Sequence, residues 1–299
     1  MREIKRRIPA AVAIILVLLI CAAAYFYGSA DEEKSSEAIS RSDDIITVHY
    51  IDVGQGDSEF VELPNGECML IDAGTKESFD TISQVIESCG YDSINYVVAT
   101  HPHADHIGSM SQIIDEYDIG EFYMPKVSST SKTYENMIDS LNESNVSVFE
   151  AKAGVNIFYD EDISIDILAP SSDSYEETND YSAVIKITYG ENSFLFCGDA
   201  ETESETEMLL NGAEKLSADV FKVGHHGSDS STSEEFLSTV SPQYAVISCG
   251  AGNSYGHPHT EVLERLEKHG VETYRTDDYG DITISCGASG GFNVEYEDD

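Results

Sequence analysis

Seven of the nine histidines of this chain lie in three short clusters, and only His49 and His269 fall elsewhere. Three lie in THPHADH at 100–106, two in VGHHGS at 223–228 and two in YGHPH at 255–259. Each cluster follows a strand-like stretch and contains glycine or proline, so each predicts a loop where a rigid scaffold presents functional groups. Imidazoles gathered in this way can bind metal ions or transfer protons. A lone histidine is more often structural, but three such loops favour a functional site.

The first cluster has the densest set of candidate metal ligands. His101 and His103 are two residues apart, so both imidazoles can face one point from an extended turn. Asp105 and His106 can then face a second point nearby. Imidazole and carboxylate together suit zinc, manganese or iron. The spacing therefore predicts a centre with two metal positions.

This array, HPHADH, is similar to the signature of the metallo-β-lactamase superfamily. The resemblance implies that the first two histidines bind one metal ion and that Asp105 and His106 bind the other. LIDAG at 70–74 then places Asp72 behind the histidine loop, where a carboxylate can hold a ligand imidazole. LFCGDA at 195–200 places Asp199 at the position of the carboxylate that bridges the metals. The cofactors implied are two divalent ions, zinc or manganese.

The remaining histidine clusters supply the last ligand and the groups that move protons. KVGHHGS resembles the superfamily's last ligand motif, and its strand-Gly-His pattern favours His225 as the ligand. His226 would then transfer protons or support a ligand, with the reverse order of the two left open. His257 can enter from the far side as a general acid, or can simply pack its loop. The candidate catalytic residues are His226, His257 and Asp105.

One position departs from the superfamily's pattern. A histidine usually lies between the second and fourth motifs, but none is present between His106 and Asp199. The segment that should carry it reads TNDYSAVI at 178–185, where an oxygen ligand or water can stand in. This predicts a weaker first metal position and favours manganese over zinc. The candidate substitutes are Asn179, Asp180 and Ser182.

The ordered motifs further resemble the soluble C-terminal domain of ComEC competence proteins and related stand-alone secreted hydrolases. The match runs from about Val48, through DVGQGDS at 52–58, to the C-terminus. Within that Gly-flanked turn, Gln55 and Asp57 are candidates to lie near a ligand, although a plain hairpin is an equal alternative.

The resemblance implies a hydrolase that acts on a phosphodiester. Lys222 and Lys186 lie near the motifs and can hold a phosphate. Hydrolysis of an ester, lactone or β-lactam at the same metals is one alternative. A non-catalytic extracellular binding domain is another, although the intact metal motifs argue against it.

The net charge of the chain restricts the partners that it can bind. The chain has 56 acidic and 16 basic residues and a formal net charge of −40. Phosphate contacts normally need Lys and Arg, so stable binding of duplex DNA is not expected. A small phosphodiester or a nucleic-acid fragment remains compatible with this charge. The sequence does not determine the oligomeric state.

The N-terminus predicts a link to the membrane. Basic residues at 2–7 precede an uncharged run from Ile8 to Tyr27, which is long enough to cross a bilayer. Residues 1–30 are therefore predicted to be a single-pass anchor with the catalytic domain outside the cell. Cleavage near Gly28-Ser29-Ala30 and secretion is the alternative. Residues 31–44 predict a flexible acidic linker, and 45–299 the catalytic domain.

The elements that must position these loops are short strands and intervening helices. Two β-rich halves, each with helices, imply stacked sheets covered by helices. The resemblance implies an α/β (α+β) fold, an αββα four-layer sandwich with two mixed sheets. Helices are predicted at 77–89, 107–117, 201–210, 233–240 and 259–270. Strands are predicted at 45–53, 58–63, 67–72, 95–100, 162–170, 182–190, 193–199, 219–224, 244–248, 271–276, 281–286 and 292–296.

Overall fold

The computed structural model describes residues 44–296. The predicted anchor at 1–30 and nearly all of the predicted linker at 31–44 lie outside this range. Among the described residues, none of the helices combines the length and the apolar character that a membrane span requires.

Residues 44–296 contain fifteen strands and seven α-helices. The strands are β1 Ile45–Tyr50, β2 Glu59–Glu62, β3 Cys68–Ile71, β4 Ser93–Val98, β5 Asp118–Met124, β6 Ser147–Glu150, β7 Asn156–Tyr159, β8 Ile163–Ala169, β9 Val184–Tyr189, β10 Asn192–Phe196, β11 Val220–Lys222, β12 Tyr244–Ile247, β13 Glu272–Arg275, β14 Ile282–Gly287 and β15 Gly290–Tyr296. The helices are α1 Phe79–Ser88, α2 Met110–Glu116, α3 Lys132–Glu143, α4 Thr202–Gly212, α5 Glu234–Val240, α6 Thr260–Lys268 and α7 Thr276–Tyr279.

The strands form two mixed sheets. The first has the order β15-β14-β1-β2-β3-β4-β5-β6, and the second β13-β12-β11-β10-β9-β8-β7. In the first sheet, β3 to β6 run parallel to their neighbours. In the second sheet, β10 to β13 do the same. Parallel neighbouring strands end at the same edge of a sheet. The loops after β3 and β4 therefore lie at one edge of the first sheet. The loops after β10, β11 and β12 likewise lie at one edge of the second sheet.

Three apolar layers hold the sheets and helices together. The central layer lies between the sheets and includes Val48 on β1 and the alternating Ile163, Ile165 and Ile167 on β8. The outer face of the first sheet packs on α1, α2 and α3. The outer face of the second packs on α4, α5 and α6. Each large buried aliphatic side chain contributes about 1.5–3 kcal/mol, and the predicted αββα sandwich is confirmed.

The structure also contains elements that the sequence pattern did not predict. No element was predicted for residues 118–161, where β5, α3, β6 and β7 lie. The four residues of β6 are all exposed, because this strand forms the end of its sheet and its side chains have no core to fill. Such a strand lacks the apolar alternation from which strands are recognised.

Candidate metal centre

Glycines allow the turn after β1 to pack directly on the histidine loop after β4. The backbone N–H of Asp57 donates to the carbonyl of Asp105 at 3.1 Å. A Cβ on Gly56 would collide with that same carbonyl oxygen. A Cβ on Gly108 would collide with the backbone of Thr75, so both contacts require glycine. The predicted ligand turn is thus part of the site.

Asp199, which follows β10, is surrounded by imidazoles. Its Oδ1 lies 3.2 Å from His106 Nε2 and 3.7 Å from His226 Nε2. Its Oδ2 lies 3.6 Å from His101 Nε2 and 3.8 Å from His225 Nε2. The two oxygens of one carboxylate therefore each face a pair of histidines. This is the arrangement predicted for a bridging ligand.

His103 and Asp105 lie on opposite sides of the Asp199 carboxylate. His103 Nδ1 lies 3.0 Å from His101 Nε2, on the side of Asp199 Oδ2. Asp105 Oδ2 lies 3.5 Å from His226 Nε2, on the side of Asp199 Oδ1. Burial raises the pKa of Asp105, but the nearby imidazoles outweigh it and lower that pKa to about 2. The carboxylate is therefore ionised at neutral pH.

Asp72 holds His106 from behind, as predicted. Its Oδ2 accepts from His106 Nδ1 at 2.6 Å and from the Thr100 hydroxyl at 2.6 Å. The Thr100 backbone N–H donates to the other oxygen at 2.7 Å. All three residues are buried. With its Nδ1 proton held in this way, His106 presents Nε2 to Asp199.

The Ser248 carbonyl and a buried ion pair lie behind His226. His226 Nδ1 lies 3.0 Å from the Ser248 carbonyl and 3.1 Å from Asp57 Oδ1. The other oxygen of Asp57 accepts from Lys222 Nζ at 2.6 Å. Burial raises the pKa of Asp57, but Lys222 and His226 outweigh it and hold that pKa below its usual range. Asp57 is therefore a charged support for His226, as its predicted position near a ligand suggested.

The unpartnered atoms of the cluster fit metal ions. His106 Nε2, His226 Nε2 and Asp199 Oδ1 are buried, and none has a hydrogen-bond partner within residues 44–296. Leaving such groups unpaired is costly. Burial lowers the pKa of His226, but Asp199 and Asp57 outweigh it and raise that pKa to about 10. The site therefore demands positive charge where these atoms converge, and imidazole and carboxylate are suitable ligands for a divalent transition-metal ion.

The structure reverses the predicted order of the paired histidines. His225 was favoured as the partner of Asp105 and His106, but His226 occupies that place. Both residues have left-handed backbone conformations, with φ of 47° and 53°. This local backbone geometry decides which imidazole faces which side, and it cannot be read from the motif.

Asp180, which lies in the segment that lacks the usual histidine, is engaged away from the histidine cluster. Its carboxylate accepts from the backbone N–H groups of Glu201 and Ser204, at the start of α4. Ser182 lies behind His101, with its hydroxyl 3.3 Å from Nδ1. Asn179 lines the cleft, and its Nδ2 donates to Glu201 at 3.1 Å. Of the three predicted substitutes, Asp180 is instead a helix cap.

The predicted phosphate-binding lysines do not line the site. Lys222 is 1% exposed and paired with Asp57. Lys186 donates to the carbonyls of Lys215 and Ser217. It lines a different cavity, next to α4. Neither amine is available to a ligand at the histidine cluster.

A cleft of about 350 Å³ opens onto the cluster. His257 stacks there on Tyr255, with ring centroids 5.7 Å apart. Burial, followed by the charges of neighbouring imidazoles, lowers the pKa of His257 to about 4. A neutral His257 at pH 7 favours a role as proton acceptor over the predicted role as general acid. The cleft is lined by Gln55, His103, Ala104, Asp105, Asn179, Asp199, His225, His226, Tyr255 and His257.

The sequence analysis missed three supporting groups. Glu201 Oε1 lies 2.9 Å from His225 Nδ1. The Ser248 carbonyl and the Lys222 ion pair support His226 through its other ring nitrogen and through Asp57. The sequence signal for the role of Glu201 is its position two residues after Asp199, and this signal is weak. A carbonyl and a distant ion pair leave no motif.

Comparisons with known proteins agree with this geometry. A family model described as the metallo-β-lactamase superfamily matches residues 51–251. The chain is 32% identical over 252 residues to ComE operon protein 3 of Bacillus subtilis (strain 168), covering 79% of this chain and 32% of that protein. It is 29% identical over 255 residues to Competence protein ComA of Neisseria gonorrhoeae, covering 85% and 34%. The chain thus spans about a third of these relatives' length.

A solved structure supports the fold. Igni18, a metallo hydrolase from Ignicoccus hospitalis, matches with a TM-score of 0.51 and 16% identity. The match covers 79% of this chain and 98% of that one. At this identity the likeness shows the fold alone. Together with the relatives, it confirms the resemblance predicted from the motifs.

Proposed function

Since the chain belongs to the metallo-β-lactamase superfamily, we propose that it is a metal-dependent hydrolase whose substrate is a small phosphodiester or a nucleic-acid fragment. The observation that carries the proposal is the convergence of buried, unpartnered His106 Nε2, His226 Nε2 and Asp199 Oδ1 within the described fold. Asp199 and His226 line an open cleft that a substrate can enter, and His106 is buried beside Asp199. A purely structural cluster would have these atoms paired with one another or with the backbone.

Two divalent ions, zinc or manganese, fit the two sides of Asp199. The inner position is the side of Asp105, His106 and His226, which faces Asp199 Oδ1. The outer position is the side of His101 and His103, which faces Asp199 Oδ2. When bound, such a pair lowers the pKa of water and stabilises negative charge that develops on a phosphoryl oxygen.

The remaining groups orient the ligands and handle protons. Asp72 and Asp57 fix the ring orientations of His106 and His226. His257 is uncharged near neutral pH, so it can accept a proton from water or from the substrate. Its stacking on Tyr255 keeps the imidazole within the cleft.

The lining of the cleft favours a phosphodiester over an apolar acyl substrate. Of the residues that line it, Ala104 is the one aliphatic member; the others carry imidazole, carboxylate, amide or phenol groups. A pocket for an apolar ester or lactone would normally present a largely hydrophobic wall. Phosphate oxygens are instead matched by metal ions and by polar hydrogen-bonding groups.

The acidic composition limits the size of a nucleic-acid substrate. A formal net charge of −40 repels a long duplex, and no lysine or arginine lines the described cleft. Stable duplex DNA binding is therefore not part of the proposal. Salt screens the repulsion, so any cleavage of DNA fragments should become faster as ionic strength rises.

The proposed location is outside the cytoplasm. The support is the basic stretch at 2–7 before the uncharged run from Ile8 to Tyr27. Residues 1–30 act as a membrane anchor, or as a signal that is cleaved before secretion. A reporter fused after Asp299 should be active outside the cytoplasm, and activity confined to the cytoplasm would refute this orientation.

A substrate screen tests the proposed activity. The full chain is reconstituted with zinc or manganese and assayed on a bis-aryl phosphodiester, single-stranded DNA, a lactone and a β-lactam. We expect the phosphodiester to be cleaved fastest. Efficient opening of the lactone or β-lactam with intact phosphodiesters would overturn the substrate class and leave the metal centre in place. Inactivity on all four by protein that holds its metals would sink the hydrolase proposal for these classes.

A further inference from the structure

We infer that the two adjacent histidines of GHHG at 224–227 are divided between the two metal positions. His226 is the ligand of the inner position, and His225 is a ligand of the outer position. His225 thereby takes the place of the histidine that is missing between His106 and Asp199. The inference rests on the metal centre of the proposed function and concerns which residues bind each ion.

The backbone sets the two imidazoles on opposite sides of Asp199. His225 and His226 have φ of 47° and 53°, a conformation that residues with a Cβ adopt rarely. Such conformations persist where the surrounding structure over-determines them, and they cluster at active sites and ligand-binding turns. The ring centroids lie 6.1 Å apart. One Nε2 faces Asp199 Oδ2 at 3.8 Å and the other faces Oδ1 at 3.7 Å.

His225 has the second hydrogen bond that is typical of a metal-binding imidazole. Its Nδ1 lies 2.9 Å from Glu201 Oε1 and 3.2 Å from the Ser230 hydroxyl. With Nδ1 bonded to the Ser230 hydroxyl, which itself donates to Glu201 Oε1 at 3.0 Å, the lone pair of Nε2 is directed to the side of Asp199 Oδ2. Asp72 and Asp57 do the same for the inner histidines. A histidine that only packed its loop would need no such orientation.

Other ligands for the vacant place are less suited. Asp180 caps α4, and the Ser182 hydroxyl accepts from the Asp199 backbone N–H and lies next to His101 Nδ1. His225 is therefore the imidazole that supplies the outer position with a third nitrogen. This predicts an outer position with histidine ligands, which can hold zinc as well as manganese.

Metal content of full-length variants tests the division. His225→Ala should lose one equivalent of metal, and His103→Ala should lose the same one. The double variant His225→Ala/His103→Ala should lose no more than either single variant. His226→Ala and Asp105→Ala should lose the other equivalent, and His225→Ala/His226→Ala should lose both. Elemental analysis gives the count.

A spectroscopic readout identifies which ion is lost. In the manganese form, two ions that share Asp199 couple magnetically, and each single loss should leave an uncoupled manganese signal. Circular dichroism checks that each variant is folded. If folded His225→Ala keeps both equivalents and the coupled signal, the inference is wrong. If the losses follow the expected pattern while every substrate is untouched, the inference stands and the proposed hydrolysis fails.

A separate cluster carries a second inference. We also propose that His49, Glu62 and Cys89 form a thiolate-containing site for a soft divalent cation such as zinc. His49 Nε2 lies 3.0 Å from Glu62 Oε1 and 3.4 Å from Cys89 Sγ. All three ligand atoms lie within 4.8 Å of one another. The other ring nitrogen, Nδ1, lies 3.1 Å from the Thr283 hydroxyl, which can fix its orientation.

The chemistry of the three groups suits zinc. Cysteine, histidine and glutamate are all zinc ligands, and three protein ligands leave a fourth place for water. The side chains of His49 and Glu62 are 19% and 23% exposed, so solvent can reach that place. These residues belong to β1, β2 and the end of α1. They are different from those that surround Asp199.

Cobalt provides a selective probe, because thiolate bound to cobalt gives a characteristic near-ultraviolet charge-transfer band. No cysteine is among the residues of the inner or outer position, so the catalytic centre cannot produce this band. Full-length protein loaded with cobalt should show the band, and Cys89→Ser and His49→Gln should abolish or weaken it. Cys249→Ser, which changes a buried thiol next to Asp277, should leave it intact. Absence of the band, or a band that survives Cys89→Ser, would refute the site.

Discussion

The inner and outer positions share one carboxylate but differ in how their ligands are held. His106 and His226 are buried, and their second ring nitrogens lie against Asp72 and Asp57, which are also buried. On the outer side, His103 is exposed. The side chains of His225 and its support Glu201 are 22% and 19% exposed. On the inner side Asp105 alone reaches the cleft surface, whereas on the outer side His101 is buried and both His103 and His225 reach solvent.

This difference indicates separate tasks for the two positions. A buried ligand with a buried carboxylate behind it loses little freedom on binding a cation, and water screens its charge weakly. Two of the three outer histidines, His103 and His225, are partly solvated, so water screens their charges more strongly. The inner position should therefore bind its ion more tightly, and the outer one should exchange its ion and meet the substrate. Substitutions at the inner and at the outer position test this comparison.

The largest effect is expected where the two sides meet. Asp199→Ala removes the carboxylate that faces both pairs of histidines, so both metal equivalents should be lost. Removing a group that only hydrogen-bonds to a metal ligand from behind lowers metal affinity by roughly 10–100-fold. The loss of metal affinity in Asp199→Ala should be larger than this. Isothermal titration with zinc measures it. Retention of one tightly bound equivalent would mean that the inner position does not depend on the shared carboxylate.

The next prediction concerns the buried ion pair that stands behind the inner position. Lys222→Met removes the ammonium that pairs with buried Asp57 and leaves His226 as the cation beside that carboxylate. Removing one partner of such a pair typically costs about 3–5 kcal/mol. Urea unfolding of the metal-free protein should therefore reveal a loss of this order in the free energy of unfolding.

Two control variants isolate the charge effect. Lys186→Met removes an amine that donates only to carbonyls near the surface, and should cost about 1.5 kcal/mol or less. Adding Asp57→Asn to Lys222→Met removes the carboxylate that has lost its lysine partner and should recover part of the loss. If Lys222→Met and Lys186→Met are equally mild, the ion pair is not a stabilising support.

A matched pair of substitutions separates the two positions. Asp72→Asn weakens the support of His106, and Glu201→Gln weakens that of His225. Each should lower the affinity of its own position by about 10–100-fold, since supports of this kind contribute that much. Competition with a chelator, followed by the manganese signal, measures each position. Equal effects of both variants on one ion would show that the positions are not independently supported.

Much of the centre could be predicted from sequence because its ligands lie within short motifs. HPHADH and the Asp199 motif identify five of the residues that the structure brings together, and strand-like stretches before them indicate the scaffold. The order of His225 and His226 could not be predicted, because it depends on left-handed backbone angles within the turn. The pairing of Lys222 with Asp57 joins residues 165 positions apart, which sequence spacing does not reveal.

The same limit applies to the fold. Buried strands such as β8 alternate cleanly and were predicted, but the exposed edge strand β6 carries no such signal. Asp180 was one of three candidate substitutes, beside Asn179 and Ser182, because it occupies the segment of the missing histidine. Its carboxylate instead accepts two N–H groups at the start of α4, a competing role for an acidic residue. Local residue type could not distinguish these two uses.

A last contrast is expected in the pH dependence of the stability of the metal-free protein, where the buried inner side and the cleft have opposite signs. His226 has a pKa raised to about 10, mainly because Asp199 and Asp57 outweigh its burial. His257 has a pKa lowered to about 4, by burial and by neighbouring imidazoles. The usual value in an unfolded chain is about 6.5.

The folded chain therefore binds more protons at His226 and fewer at His257 than the unfolded chain does. His226 contributes stability that is fully present below about pH 6.5 and is lost as pH rises toward 10. His257 opposes folding once its unfolded form protonates, so stability falls as pH drops from about 6.5 toward 4. In urea titrations of chelator-treated protein, His226→Gln should flatten the alkaline decline, and His257→Gln should flatten the acidic one. If both variants flatten the same side, the two histidines occupy equivalent electrostatic environments, and the contrast between the buried side and the cleft is wrong.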